Sequence, residues 1–164
     1  MANGLSASPG ETVTLPITIN SQGNAIAAAG FRVRFDESQL RFDPTDADED
    51  GIPDAVRFQV PDDMITIANF NANNHYLEIA IIGMAVPMPT LTDGEIISIT
   101  LQVRESATAN STTIQLTDAS LGDDASQDVA VNTTNGTVTI LQPAGSTVNH
   151  AFFLPIVNQE SIEP

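Results

Sequence analysis

Asp46, Asp48 and Asp50 stand at alternate positions, Gly51 follows them, and Asp54 comes four residues after Asp50. With Glu49 they place five carboxylates in nine residues, Asp46–Ala47–Asp48–Glu49–Asp50–Gly51–Ile52–Pro53–Asp54. A hard cation such as calcium takes six to eight oxygen ligands at short range, and Asp at alternate positions can turn several carboxylates toward one centre. Gly51 permits the sharp bend, Ile52 would offer its backbone carbonyl, and Asp54 would bind directly or through a water. The spacing follows the first nine positions of a D-x-[DN]-x-[DN]-G calcium loop and then departs from it. An EF-hand needs a bidentate Glu at position twelve, where this chain has Arg57, and no helical period flanks the loop. The expectation is therefore a Ca2+ loop that is not an EF-hand, its last ligand coming from outside the run, with Asp43 the nearest candidate. Like charges packed this closely repel strongly without a cation between them.

The elements that must hold such a loop are strands. Thr12–Asn20 alternates, with Val13, Leu15, Ile17 and Ile19 on one side and Thr12, Thr14, Pro16 and Thr18 on the other, as a half-buried strand does. Pro16 donates no hydrogen bond, which predicts a sheet edge or a bulge there. Phe31, Val33 and Phe35 alternate with Arg32 and Arg34, so both arginines point away from the core. Leu40 and Phe42 lead into the acidic loop, and Val56 and Phe58 resume the alternation after it. Met64–Phe70 and Tyr76–Gly83 form a predicted hairpin turning at Asn71–Asn74, with Leu77, Ile79 and Ile81 inward and Tyr76, Glu78 and Ala80 outward. Ile97, Ile99, Leu101 and Val103 alternate with Ser98, Thr100 and Gln102. Thr112–Leu116 is another strand, Leu121–Asp124 a turn, and Asn135–Gly136 a hairpin dipeptide between Val129/Val131 and Val138/Ile140. No helical period runs for ten residues anywhere. Short strands with regular turn signals predict an all-β sandwich, the acidic loop inserted between two strands.

Composition narrows the partners. The chain has 164 residues, 41% of them apolar, enough for one domain with a real core. Five Arg stand against 21 Asp and Glu, for a net charge of −16. That balance repels nucleic-acid phosphate and anionic membrane, so neither is expected as a partner. With no Cys there is no disulfide framework and no thiolate metal site. A weak calcium loop suits the millimolar calcium outside cells, which predicts an extracellular or cell-surface setting. Met1–Gly4 has neither a basic start nor an apolar core, so a mature fragment or single module is expected. Residues 1–142 are read as the domain and 143–164 as linker and tail, with an apolar run Phe152–Val157 that would lie along a sheet edge or lead to a further module. His75 falls in a hairpin turn and His150 in the tail, which suggests no Ser-His-Asp set and no enzyme. Three Asn-x-Ser/Thr sequons, at Asn110, Asn132 and Asn135, are read as chance matches.

Four segments in order resemble cohesin modules: Pro9–Ile17, Ala29–Asp36 with Leu40, Asp93–Leu101, and Val131–Ile140. The likeness spans residues 4 to 141. It implies a nine-stranded jelly-roll sandwich related to carbohydrate-binding modules, without catalytic activity, that binds a dockerin-type protein module outside the cell. In that family the dockerin usually carries the calcium loops, whereas this chain has one of its own. By analogy the partner-binding face would be one sheet bearing Arg32, Arg34, Tyr76 and Glu78, with Thr100 and Gln102 as further candidates. Arg and Tyr are frequent interface anchors. Direct binding of polysaccharide and a calcium-stiffened structural domain are the alternatives. Sugars are usually held by aromatic platforms, and this chain has no Trp and one Tyr.

Overall fold

The structure, a computed structural model, describes residues 4–142; the apolar run Phe152–Val157 lies outside them. Eleven strands form two sheets: β1 (Leu5–Ala7), β2 (Thr12–Ile19), β3 (Ile26–Arg34), β4 (Leu40–Arg41), β5 (Val56–Phe58), β6 (Met64–Asn71), β7 (Tyr76–Gly83), β8 (Gly94–Val103), β9 (Ser111–Asp123), β10 (Asp128–Val129) and β11 (Gly136–Ile140). The larger sheet runs β1-β11-β9-β3-β7-β6, with β10 also on β9; the smaller runs β2-β8-β4, with β5 also on β8. The resemblance implied nine strands. The surplus over nine lies among pieces of two or three residues, namely β1, β4, β5 and β10. No helix occurs among the described residues.

Period-two burial builds this sandwich. Leu15 and Ile17 from β2 and Ile97, Ile99, Leu101 and Val103 from β8 supply one wall. Val33 from β3, Leu77, Ile79 and Ile81 from β7, Ile114 from β9 and Val138 from β11 supply the other. Side chains of this kind contribute about 1.5–3 kcal/mol each when fully buried. Pro16 sits where its missing donor does no harm: β2 pairs only with β8, and the register slips between Ile17 and Thr18.

Two turn assignments made from local chemistry fail, the first in part. Of the turn expected over Leu121–Asp124 only Asp124 turns: Leu121–Asp123 is the end of β9, and the chain reverses at Asp124–Ser126. Asn135–Gly136 closes no hairpin, because β10 and β11 do not pair with each other. Both lie on the same side of β9, at Leu121–Gly122 and at Ser111–Ile114, so the chain between them simply continues along that strand. β1 was not foreseen; at three residues it is too short for a visible period, and it pairs in parallel with β11.

Gly83 is fixed by packing. A Cβ there would stand 2.8 Å from the Pro89 carbonyl oxygen, so the loop after β7 lies against bare backbone. Gly51, at φ +88, is the bend of the acidic loop.

Candidate functional site

The outer face of the larger sheet is a grid of cross-strand rungs. Reading from β6 through β7 and β3 to β9, one rung is Ile65, Ile82, Ala28, Gly122 and the next is Ile67, Ala80, Gly30, Ser120. Then come Asn69, Glu78, Arg32, Thr117, and finally Asn71, Tyr76, Arg34, Gln115. One half of the face is thus apolar and small, the other polar and charged.

Arg32 is the hub of the polar half. Its Nε and Nη2 donate to Glu78 Oε1 at 3.3 and 3.2 Å, and its Nη1 donates to Asp118 Oδ2 at 3.0 Å. Glu78, then its other neighbours, hold the guanidinium pKa above its ordinary value. The Arg32 Cζ lies 4.6 Å from the centroid of the Tyr76 ring and the Arg34 Cζ lies 5.0 Å from it, so both cations rest on one aromatic side chain. Arg34 Nη1 also donates to the Asn74 carbonyl at 3.2 Å, tying the sheet to the hairpin turn. A bulge brings Asp118 into this cluster. Arg32 faces Thr117 while Gly30 faces Ser120, so β9 carries one residue too many between them, and Asp118 takes φ 53.

The four face residues expected from sequence, Arg32, Arg34, Tyr76 and Glu78, therefore meet on one surface. Thr100 and Gln102 do not join them. They lie on β8, opposite Thr14 and Thr12, on the outer face of the smaller sheet. Alternation tells which side of a strand faces out, but not which of the two sheets the strand belongs to.

The apolar half escaped the sequence reading. Ile65, Ile67 and Ile82 are 46%, 47% and 37% exposed, and Met84 and Val86 follow Ile82 on the surface. In Met64–Asn71 both alternating sets carry apolar residues, so the period could not say which set was buried. Met64 and Ala68 are inside. The available signal was the excess: two isoleucines on the face shared with Asn69 and Asn71.

The acidic loop connects β4 to β5 beside the smaller sheet. Asp46, Asp48 and Asp50 each offer an oxygen, all within 4.8 Å of one another. Asp46 accepts the N–H groups of Asp50 (3.2 Å) and Gly51 (2.9 Å), and Asp50 Oδ1 accepts that of Ile52 at 2.7 Å. Asp54 accepts the Ala47 N–H at 3.3 Å and donates its own N–H to the Thr45 carbonyl at 2.8 Å. Ile52 and Ala55 pack on the core, so the loop is pinned at its exit. The neighbouring Asp50 charge, then the contact with Asp46, push the Asp48 pKa above the ordinary carboxylate range.

Asp43 and Asp54 are not part of this triplet. With Arg41, Thr45, Thr100 and Gln102 they line an adjoining cleft of about 470 Å3. Asp43 Oδ1 accepts from the Thr45 hydroxyl (2.7 Å) and N–H (3.1 Å), which together hold its pKa low. An all-oxygen set of three carboxylates fits a hard divalent cation and no soft one.

His75 Nδ1 lies 2.7 Å from Glu37 Oε2, bracing the β6–β7 turn against the turn after β3. That carboxylate is the side-chain partner of His75 among the described residues.

The family model described as "Cohesin domain" matches residues 2–140. No curated protein matches the sequence. Among solved structures, a type I cohesin–dockerin complex from Clostridium thermocellum superposes with a TM-score of 0.69 at 13% identity, covering 86% of this chain and 91% of that one. The sixth cohesin of scaffoldin B from Acetivibrio cellulolyticus, solved with a Cel5 dockerin, gives 0.64 at 17% identity over 85% and 95%. A non-cellulosomal cohesin from the archaeon Archaeoglobus fulgidus gives 0.62 at 17% identity over 85% and 87%.

Proposed function

The chain belongs to the cohesin family, and from that premise we propose that it is a non-catalytic docking module that captures a dockerin-type protein on the outer face of its larger sheet. One observation carries the choice of face: exposed Ile65, Ile67 and Ile82 adjoin the cluster of Arg32, Arg34 and Tyr76. Protein interfaces join an apolar centre to Arg and Tyr anchors in this way. Contiguous exposed apolar area on a sheet is costly to keep wet unless something covers it. Similar cohesins solved with dockerins bound support a protein of that kind as the partner. The jelly-roll connectivity implied by the resemblance belongs to the same reading, and the order of strands in the two sheets is compatible with it.

The second part of the proposal is a structural calcium ion in the β4–β5 loop. Asp46, Asp48 and Asp50 would hold it, with the Ile52 carbonyl, Asp54 and Asp43 as completing donors. The ion would neutralise carboxylates that otherwise repel and so stiffen the loop. Loops of this ligand number suit calcium at extracellular concentrations, which supports an extracellular or cell-surface setting. A protein partner is preferred over polysaccharide because no aromatic platform lies open among the described residues, where Phe58 and Phe70 pack against the core. Phe31, Phe35 and Phe42 are buried, and the one tyrosine carries two guanidinium groups.

Isothermal titration against a panel of calcium-loaded dockerins tests the proposal. At least one should bind, and the double variant Arg32→Glu, Arg34→Glu should weaken that binding about a hundredfold or more. Unchanged affinity in the double variant removes the face, and silence across a broad panel removes the dockerin class.

A further inference from the structure

A second apolar surface lies apart from Ile65, Ile67 and Ile82 and shares only Gly30 and Ser120 with the face just described. β1 closes the seam between the sheets only at its Leu5–Ala7 end, where it pairs with Val138–Ile140. Farther along, between β2 and the second half of β9, lies an open groove of about 400 Å3. Ile17, Ile19, Leu116, Leu121, Val129 and Val131 contribute its apolar walls. Asn and Thr side chains form the rim, and no Asp, Glu, Lys or Arg lines it. In a chain of net charge −16 a surface free of charge is unusual.

The sequence offers one segment to match. From Val129 through Gln159 the chain contains no Asp, Glu, Lys or Arg, and within that stretch Phe152–Val157 is an unbroken apolar run. We propose that the groove between β2 and β9 receives the segment Phe152–Val157 of the same chain, side chains inward, so that the tail folds back along the sandwich.

Reach allows it. The domain ends at Gln142, whose amide donates to the Ala107 and Ala109 carbonyls. The groove opens at Thr134, just before β11, so the tail must double back over about eight residues, or about 26 Å at strand rise. The ten residues from Gln142 to Phe152 span up to about 33 Å. A tether this short keeps the segment at an effective concentration of order millimolar, well above what a second copy would supply in dilute solution. Pro155 lacks a backbone donor, which favours docking by side chains over a continuous ladder.

The absence of cysteine from the chain makes the test direct. Phe153→Cys is combined in the full chain with Thr133→Cys at the groove, or with Thr113→Cys as a control. Thr113 pairs with Thr137 and is closer to Gln142 along the strands than Thr133 is. A free tail would therefore reach Thr113 at least as fast. Docking predicts that the Thr133 pair forms an intramolecular disulfide about tenfold faster. Equal or reversed rates overturn the proposal, and disulfide-linked dimers from the Thr133 pair assign the groove to a second copy instead. As an independent readout, Leu154→Asp should speed amide exchange at Ile19, Leu121 and Val131 about tenfold; unchanged exchange there also overturns it.

Discussion

Arg32 sits where three kinds of interaction converge: the Glu78 carboxylate, the Asp118 carboxylate and the Tyr76 ring. Each pair is partly exposed, so solvent screening leaves it little net worth to folding. Its value to the proposed face is positional, since the two carboxylates fix a guanidinium that a free side chain would wave through solvent. We expect Asp118→Asn to leave the melting temperature within about 2 °C while weakening partner capture, because Asn tolerates the left-handed backbone at φ 53 but no longer holds the Arg32 guanidinium by charge; calorimetry and titration on one sample check both. A different carboxylate carries a pH signature. Asp93 Oδ1 accepts the Ser21 N–H at 2.6 Å, and that bond holds the Asp93 pKa below the ordinary range. A depressed carboxylate stabilises the fold above its unfolded pKa and loses that contribution as pH falls through its folded pKa. Asp93→Ala should therefore melt lower than the parent at pH 7, and the gap should close as pH drops below the carboxylate range. A gap that stays constant down to pH 2 would contradict the assignment.

At the level of elements, the acidic loop makes the clearest prediction. Among the described residues no salt bridge reaches its three converging carboxylates, and the neighbouring Asp50 charge raises the Asp48 pKa. Calcium at a hundredfold its dissociation constant should add about 2.7 kcal/mol to stability. For a domain of this size that is a rise in melting temperature on the order of 10 °C. Scanning calorimetry in calcium and in chelator measures it, and Asp48→Asn should reduce the rise. Identical melts would count against a folding-coupled ion. The β7 exit is equally specific. Gly83→Ala would drive a methyl group to 2.8 Å from the Pro89 carbonyl, so either the Pro87–Pro89 loop shifts or the end of β7 does. A loss of about 1–3 kcal/mol is expected, read by denaturant titration.

For the molecule as a whole, the two-sheet architecture was legible because burial on one face leaves a period of two in Thr12–Ile19, Tyr76–Ile81 and Ile97–Val103. The same period placed Arg32 and Arg34 outward and set the aspartates of the loop apart. It could not rank the faces of Met64–Asn71, where isoleucine occupies the wet side, and so the apolar half of the proposed docking face was invisible. Nor could it assign Thr100 and Gln102 to a sheet, since strand pairing is a long-range choice. Asn135–Gly136 misled for a related reason: a dipeptide suited to a tight turn was overruled by β9, which pairs with the chain on both sides of it. The bulge at Asp118, which completes the Arg32 cluster, leaves no sequence signal short of the sheet register itself.

The most direct test is hydrogen exchange with and without a bound dockerin. Capture on the larger sheet predicts that amides of β3, β6 and β7 slow on complex formation while those of β2 and β8 keep their free rates. Protection confined to β2 and β8, or spread evenly over both sheets, would contradict it.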